Sequence, residues 1–258
     1  MGGCAAGKLE GPFDLAHAAV IRHGLGAILI AGAGAWPMAA LAYRPFDSTD
    51  AAVADQGKWE VELGPLNWRH NDDGTQWIAP ALILNYGFAQ NWEAVVEGRN
   101  AIFAKGGDQL SDAAASLKSV IREGSFQDKP GVSLGSEFSV LLPGIRADDG
   151  AGLEWTMLAS HRQDWGAWHL NLGPMLTRDG HGGVVAGGIL EGPQAWPVRP
   201  VAEIRYEKAF GGEEMIAGLV GVIIPVREGL ALDIGLRHAR EGGRPDEQIR
   251  AGVTFDLN

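Results

Sequence analysis

Cysteine is almost absent. The single one, Cys4, cannot close an internal disulfide, and no apolar run precedes it as a lipid-modified cysteine requires. No apolar run reaches the roughly 18 residues that a membrane-spanning helix needs. Basic residues are scarce: 21 Lys and Arg stand against 32 Asp and Glu, a net charge of −11. Such a surface repels nucleic acid, and no basic patch interleaved with aromatics offsets it. Metal-ligand spacing is lacking too. His181 and His238 are isolated, and Asn71-Asp72-Asp73 is not followed by the spaced acids of a calcium loop. Gly182-Gly183 and Gly187-Gly188 match no phosphate-binding fingerprint; strand flexibility or close packing explains them. Ser160-His161 and His169 invite comparison with a serine hydrolase, but no motif supplies an orienting group or an oxyanion donor. No enzyme, metal or cofactor is expected.

What is present is glycine, 38 residues, and tryptophan, nine. Tight turns, close strand packing and interfacial anchoring use both. Near the start, Arg22-His23 precede an apolar stretch from Gly24 to Ala35, then the small-residue triplet Ala40-Leu41-Ala42. A positive flank, a short apolar core and an A-x-A end read as a secretory signal peptide cleaved after Ala42. Residues 1–19 carry Glu10 and Asp14, which do not suit a basic leader. We expect translation to start near Val20, so that Cys4 is never made or is lost with the leader.

Residues 43–56 lack alternation and are expected to form an N-terminal periplasmic segment. From 57 to 258, apolar and polar residues alternate in blocks of about ten, separated by turn residues. We place twelve strands, the first at 58–69 and the last at 247–257. The fold class is all-β: an antiparallel, transmembrane, up-and-down barrel of about 12 strands. Three even-to-odd connections are tight, as inner turns of a membrane barrel are: Ala89-Gln90, Gln163-Asp164 and Arg227-Glu228. Two others, Glu123 to Pro130 and Gly192 to Trp196, are longer and mark where a strand slip is expected.

Alternation assigns faces. Leu230, Leu232, Ile234 and Leu236 oppose Asp233 and Arg237; Ile249, Val253 and Phe255 oppose Arg250, Thr254 and Asp256. Alternation alone does not separate a soluble barrel from an inverted one. Export, strands of about ten residues, and aromatics near strand ends (Trp68, Trp77, Tyr86, Trp92, Trp165, Trp196) favour lipid outside and charge inside. The lumen-lining candidates are Glu60, Glu62, Glu93, Glu97, Arg99, Glu137, Glu154, Glu203, Arg205, Asp233, Arg237 and Arg250. They serve either as a selectivity-setting lining or as an ion-pair lattice that closes a narrow barrel.

Several segments carry a family resemblance. They are Arg44-Pro45-Phe46-Asp47-Ser48-Thr49-Asp50-Ala51, Gly57-Lys58-Trp59-Glu60-Val61-Glu62, Leu190-Glu191-Gly192-Pro193 and Arg199-Pro200-Val201-Ala202-Glu203. Near the end come Leu230-Ala231-Leu232-Asp233-Ile234-Gly235-Leu236-Arg237 and Arg250-Ala251-Gly252-Val253-Thr254-Phe255. They resemble the outer-membrane family named for the MetA pathway of phenol degradation. The resemblance implies an outer-membrane barrel and a channel for aromatic or hydrophobic compounds; it brings no catalytic residues. Loops are compact and no plug is evident. The expected partners are outer-membrane lipid and small solutes. The expected function is a passive channel or transporter for small molecules in the bacterial outer membrane. A structural barrel with a sealed lumen and a soluble periplasmic binding barrel stay open as alternatives.

Overall fold

The computed structural model describes residues 44–104, 107–146 and 150–257. The expected leader, 1–42, lies outside the described residues, as do 105–106 and 147–149 in two of the expected loops. The strands are β1 (Trp59–Gly64), β2 (Asn67–Asn71), β3 (Gly74–Ala89), β4 (Trp92–Ile102), β5 (Gln109–Arg122), β6 (Ser133–Leu141) and β7 (Gly152–Gln163). They continue with β8 (Gly166–Leu176), β9 (Gly182–Glu191), β10 (Arg199–Ala209), β11 (Glu214–Arg227), β12 (Leu230–Glu241) and β13 (Arg244–Leu257). Each pairs antiparallel with the next in sequence order, apart from β1 and β2. Those two are halves of one stave. Both pair with β3 on one side and β13 on the other, so the sheet closes into a barrel of twelve staves.

The break in the first stave has a simple cause. Register runs from Gly64 opposite Ala81 to Asn67 opposite Ile78, so Pro65 sits across from Pro80. Neither proline has an N–H to donate, and the ladder lapses there. The staves run from nine residues in β6 to 16 in β3. Those lengths suffice to cross a bilayer at a tilt. The twelve expected strands agree with these positions to within a few residues, and no strand slips at the two long connections. The first of them folds as a 3-10 turn, Ser125–Gln127, whose Phe126 is buried. In the second, the Gly192 N–H donates to Pro200 O and the Trp196 N–H to Pro193 O.

Burial is inverted relative to a water-soluble protein. Leu172, Ile204, Val220, Leu236 and Leu190 are all more than half exposed. Glu62, Asn85, Glu93, Lys118, His169 and Thr254 are at most 1 % exposed. Leu232 and Ile234 point outward while Asp233 between them is 7 % exposed. Charged groups gain nothing by burial unless they face partners or water, so the polar face encloses the lumen and the apolar face meets hydrocarbon. A soluble barrel needs the opposite placement. Exposed Trp59, Trp92, Trp165 and Trp196 gather at the rim where β1 begins and β13 ends, called here the terminal rim. That is where an interfacial girdle belongs.

One expectation is corrected. Residues 44–56 do not lie outside the barrel as a periplasmic segment; they pack inside it. Phe46 joins Ile189, Val201, Leu219, Ile223 and Ala231 in a small apolar cluster on the inner wall. The segment leaves at the terminal rim across β3, where the Gly57 N–H donates to Gly87 O and the Gly87 N–H to Lys58 O. A Cβ on Gly87 would stand 2.2 Å from Asp55 O, and one on Gly187 2.3 Å from the Ser48 hydroxyl. Inner-face glycines therefore make the bed for the plug; this is close packing rather than strand flexibility.

Candidate functional site

The plug has no secondary structure of its own, so its backbone groups need partners from the wall. The wall supplies them stave by stave. The Arg44 N–H donates to Glu62 Oε2 at 3.0 Å. The Asp47 and Ser48 N–H groups donate to the two carboxylate oxygens of Glu203, at 2.8 and 2.7 Å. The Thr49 N–H donates to Asn171 Oδ1, the Ala51 N–H to Ser160 Oγ and the Ala54 N–H to Glu93 Oε2. In return, the Asn171 amide donates to Thr49 O and the Gln127 amide to Ala51 O.

Side-chain ion pairs complete the attachment. Arg44 meets Asp233 at 3.3 Å, and the buried Lys118 ammonium donates to Thr49 Oγ1 at 3.1 Å and Asp50 Oδ1 at 3.3 Å. Asp47 is the centre of charge. Arg237 Nε bonds its Oδ2, Arg250 Nη2 lies 2.7 Å from Oδ1, and Arg99 Nη2 lies 3.7 Å from the same oxygen. Arg205 donates to Asp47 O at 3.2 Å. Burial raises the Asp47 carboxyl, but Arg250, Arg237, Arg99 and Arg205 outweigh it and hold it well below the usual carboxylate range. The plug thus carries an ionised carboxylate that three guanidinium groups surround.

All twelve expected lining residues turn toward this interior. Glu62, Glu93, Glu203, Asp233, Arg99, Arg205, Arg237 and Arg250 touch the plug directly. Glu154 pairs with Arg205 at 3.3 Å, and Glu97 and Glu137 line the cavity beyond Asp47. Glu60 accepts from Asn85 at the terminal-rim side. Reasoning from strand alternation misses the plug's own Arg44, Asp47 and Asp50. It also misses Lys118, Asn171 and Ser160, although each lies at a polar parity in its strand.

Two cavities flank the plug. One of about 340 Å³ is lined by Asp47, Ser48 and Thr49 and by charged residues of the wall, among them Glu97, Arg99 and Glu137. The other, about 890 Å³, lies at the terminal rim against Ala52 to Gln56, with Glu60, Arg162 and Asp256. No residue lines both. A third hollow of about 510 Å³ lies in the wall. It is lined by the outward-facing Trp68, Val220, Leu236 and Ile249 and reaches the inward-facing Glu203 and Arg237.

The serine–histidine comparison gains a third member. Ser160 and His169 stand opposite each other on β7 and β8, with Ser160 Oγ 2.9 Å from His169 Nδ1. His169 Nε2 is 2.8 Å from Glu191 Oε1, and Glu191 in turn pairs with Arg199 at 2.9 Å. The chain order and geometry are those of a relay, but Ser160 is fully buried, already accepts the Ala51 N–H, and lines none of the three cavities above. A nucleophile needs room for a reacting carbonyl and an oxyanion donor. Here the relay anchors the plug. Among the described residues no group of His, Cys, Asp and Glu is placed to hold a metal ion.

A closed antiparallel barrel, apolar outside and charged within, defines an outer-membrane β-barrel. No family model and no curated protein sequence matches the chain. Solved structures do. The KdgM porin is similar with a TM-score of 0.55 at 13% identity, over 77% of this chain and 99% of that one. The NanC porin has a TM-score of 0.55 at 10% identity, over 77% and 100%. The COG4313 outer membrane channel from Pseudomonas putida F1 has a TM-score of 0.54 at 13% identity, over 82% and 100%. At such identities the likeness carries the fold.

Proposed function

We propose that the protein is a passive outer-membrane channel for small molecules, held shut along its axis by residues 44–56. The observation that carries the reading is the polar lumen divided into two cavities by a segment tethered mainly through hydrogen bonds and ion pairs. A segment fastened by hydrogen bonds and ion pairs leaves wall groups that water or a solute can satisfy, which suits a gate better than an apolar stopper does. The similar structures, two porins and an outer membrane channel, point the same way.

Small aromatic or hydrophobic solutes, which the family resemblance implies, find their support in the wall hollow. Its outward lining is mostly apolar, beside the exposed His238–Glu247 pair, and the small Ala202 and Gly218 leave room for it. The cavities on the axis suit hydrophilic solutes instead. The resemblance to the MetA-pathway family draws much of its support from Arg44 to Ala51, the stretch that forms the plug.

The protein purified from outer membranes, reconstituted in planar bilayers and liposomes, tests the reading. Discrete conductance that rises when Lys118→Met loosens the plug is expected. A second reading, a structural barrel with a sealed lumen, draws on the number of bonds that hold the plug. It predicts neither conductance nor solute flux in either protein, and that result would overturn the channel.

A further inference from the structure

Asp47 offers the wall two things at once. Its carboxylate is held by Arg237, Arg250 and Arg99, and its N–H, two carbons away, donates to Glu203. The wall groups are set before the plug arrives, because their strands place them: Glu203 on β10, Arg237 on β12 and Arg250 on β13. The Arg237 and Arg250 side chains are 10% and 5% exposed, and Asp47 itself lines the cavity of about 340 Å³ beyond the plug. A solute in that cavity therefore reaches the cluster without passing the rest of the plug.

We propose that this cluster is a solute site for small zwitterions, with a carboxylate and an ammonium group separated by two carbons, and that Asp47 is its resident occupant. The inference rests on the channel reading for passage, though not for binding. If the plug leaves, buried guanidinium groups lose their carboxylate and Glu203 loses two donors. Unpaired buried charges are costly, so the released state is favoured by whatever replaces Asp47. A plain anion replaces only half of it. The cavity also holds Glu97, Glu137 and Glu241, none of which has an ion-pair partner within 4 Å among the described residues. They disfavour an unaccompanied carboxylate and welcome an ammonium group. Guanidinium groups take carboxylates bidentately, and Glu203 takes the N–H donors. Because Asp47 is tethered, a solute competes against an effective concentration on the order of millimolar.

β-Alanine reproduces the atoms of Asp47 from N to the carboxylate, and propionate and propylamine each carry one end of it. Calorimetric titration of the purified full chain with these three probes tests the site. Asp47→Ala frees the three guanidinium groups and loosens the plug, though the backbone N–H of residue 47 can still reach Glu203, and it should bind β-alanine at least tenfold more tightly than the wild type does. Propionate should bind it more weakly and propylamine not measurably. Adding Arg250→Gln should abolish the gain. Asp47→Asn keeps the shape of the plug and should fall between, which guards against a misfolded alanine variant. Equal affinity in wild type, Asp47→Asn and Asp47→Ala, or propionate binding as well as β-alanine, overturns the proposal. β-Alanine binding with no conductance keeps the site and refutes the channel; conductance with no β-alanine binding does the reverse.

Discussion

Locking the plug to the wall should abolish conductance, and the structure names a pair that can do it. A Cβ built on Gly135 of β6 would stand 3.5 Å from the Ala51 Cβ. Disulfides span Cβ separations of about 3.5–4.5 Å, so Ala51→Cys with Gly135→Cys lies at the near edge of the range. The new Cβ would also lie 3.1 Å from Ser119 O, which asks that carbonyl to give by a few tenths of an ångström. The bridge closes a ring of about 85 residues, worth about 4.6 kcal/mol of chain entropy against unfolding. Against plug release its effect is absolute, because a covalent bond replaces hydrogen bonds. Cys4 is the only natural cysteine, and Cys4→Ser removes any ambiguity. The assay is single-channel recording before and after oxidation, with a non-reducing gel to show that the bridge has formed. Oxidation should silence the channel and reductant should restore it. Undiminished conductance through fully bridged protein would refute the idea that residues 44–56 are the gate.

Other outcomes follow from the same geometry. Lys118→Met strips Asp50 of its buried ammonium, a loss of about 3–5 kcal/mol for one partner of a buried pair; residues 44–56 should become sensitive to added protease, and unchanged resistance would show that the pair does not hold the plug. Leu236→Arg places a charge on a side chain 55% exposed to lipid, and should cost about 2–4 kcal/mol in a urea titration of folding into vesicles if it sits near the bilayer midplane; a neutral result would contradict the inverted faces. Ser160→Ala removes the acceptor of the Ala51 N–H and the partner of His169, and should cost about 1–3 kcal/mol of stability. Wild-type Ser160 should resist a fluorophosphonate probe, and specific labelling there would revive the hydrolase comparison.

The staves are legible because each carries its own evidence. In β12, Leu230, Leu232, Ile234 and Leu236 alternate with Ala231, Asp233, Gly235 and Arg237, and a period of two needs no knowledge of neighbours. Turn residues bound most staves, so their number and approximate ends follow from local pattern. Even the long connection holding Ser125–Gln127 disturbs the β5–β6 ladder only by a one-residue irregularity between Val120 and Arg122. Polar parity likewise brings all twelve expected lining residues to the inner face.

The plug is another matter. Residues 44–56 have no period, and nothing in Arg44-Pro45-Phe46-Asp47 says whether water or a wall surrounds it. The partners of Asp47 come from β4, β10, β12 and β13, which adjoin it only once the first stave closes on the last. The same holds for Ser160, His169 and Glu191, whose strands pair in order but whose role as an anchor depends on Ala51 lying against them. Sequence by itself settled the strands, their faces and the excess of carboxylate within, because these depend on near neighbours in the chain. Tertiary structure alone decided that the lumen is occupied and which charges meet there, because ring closure sets distances between groups that no local pattern relates.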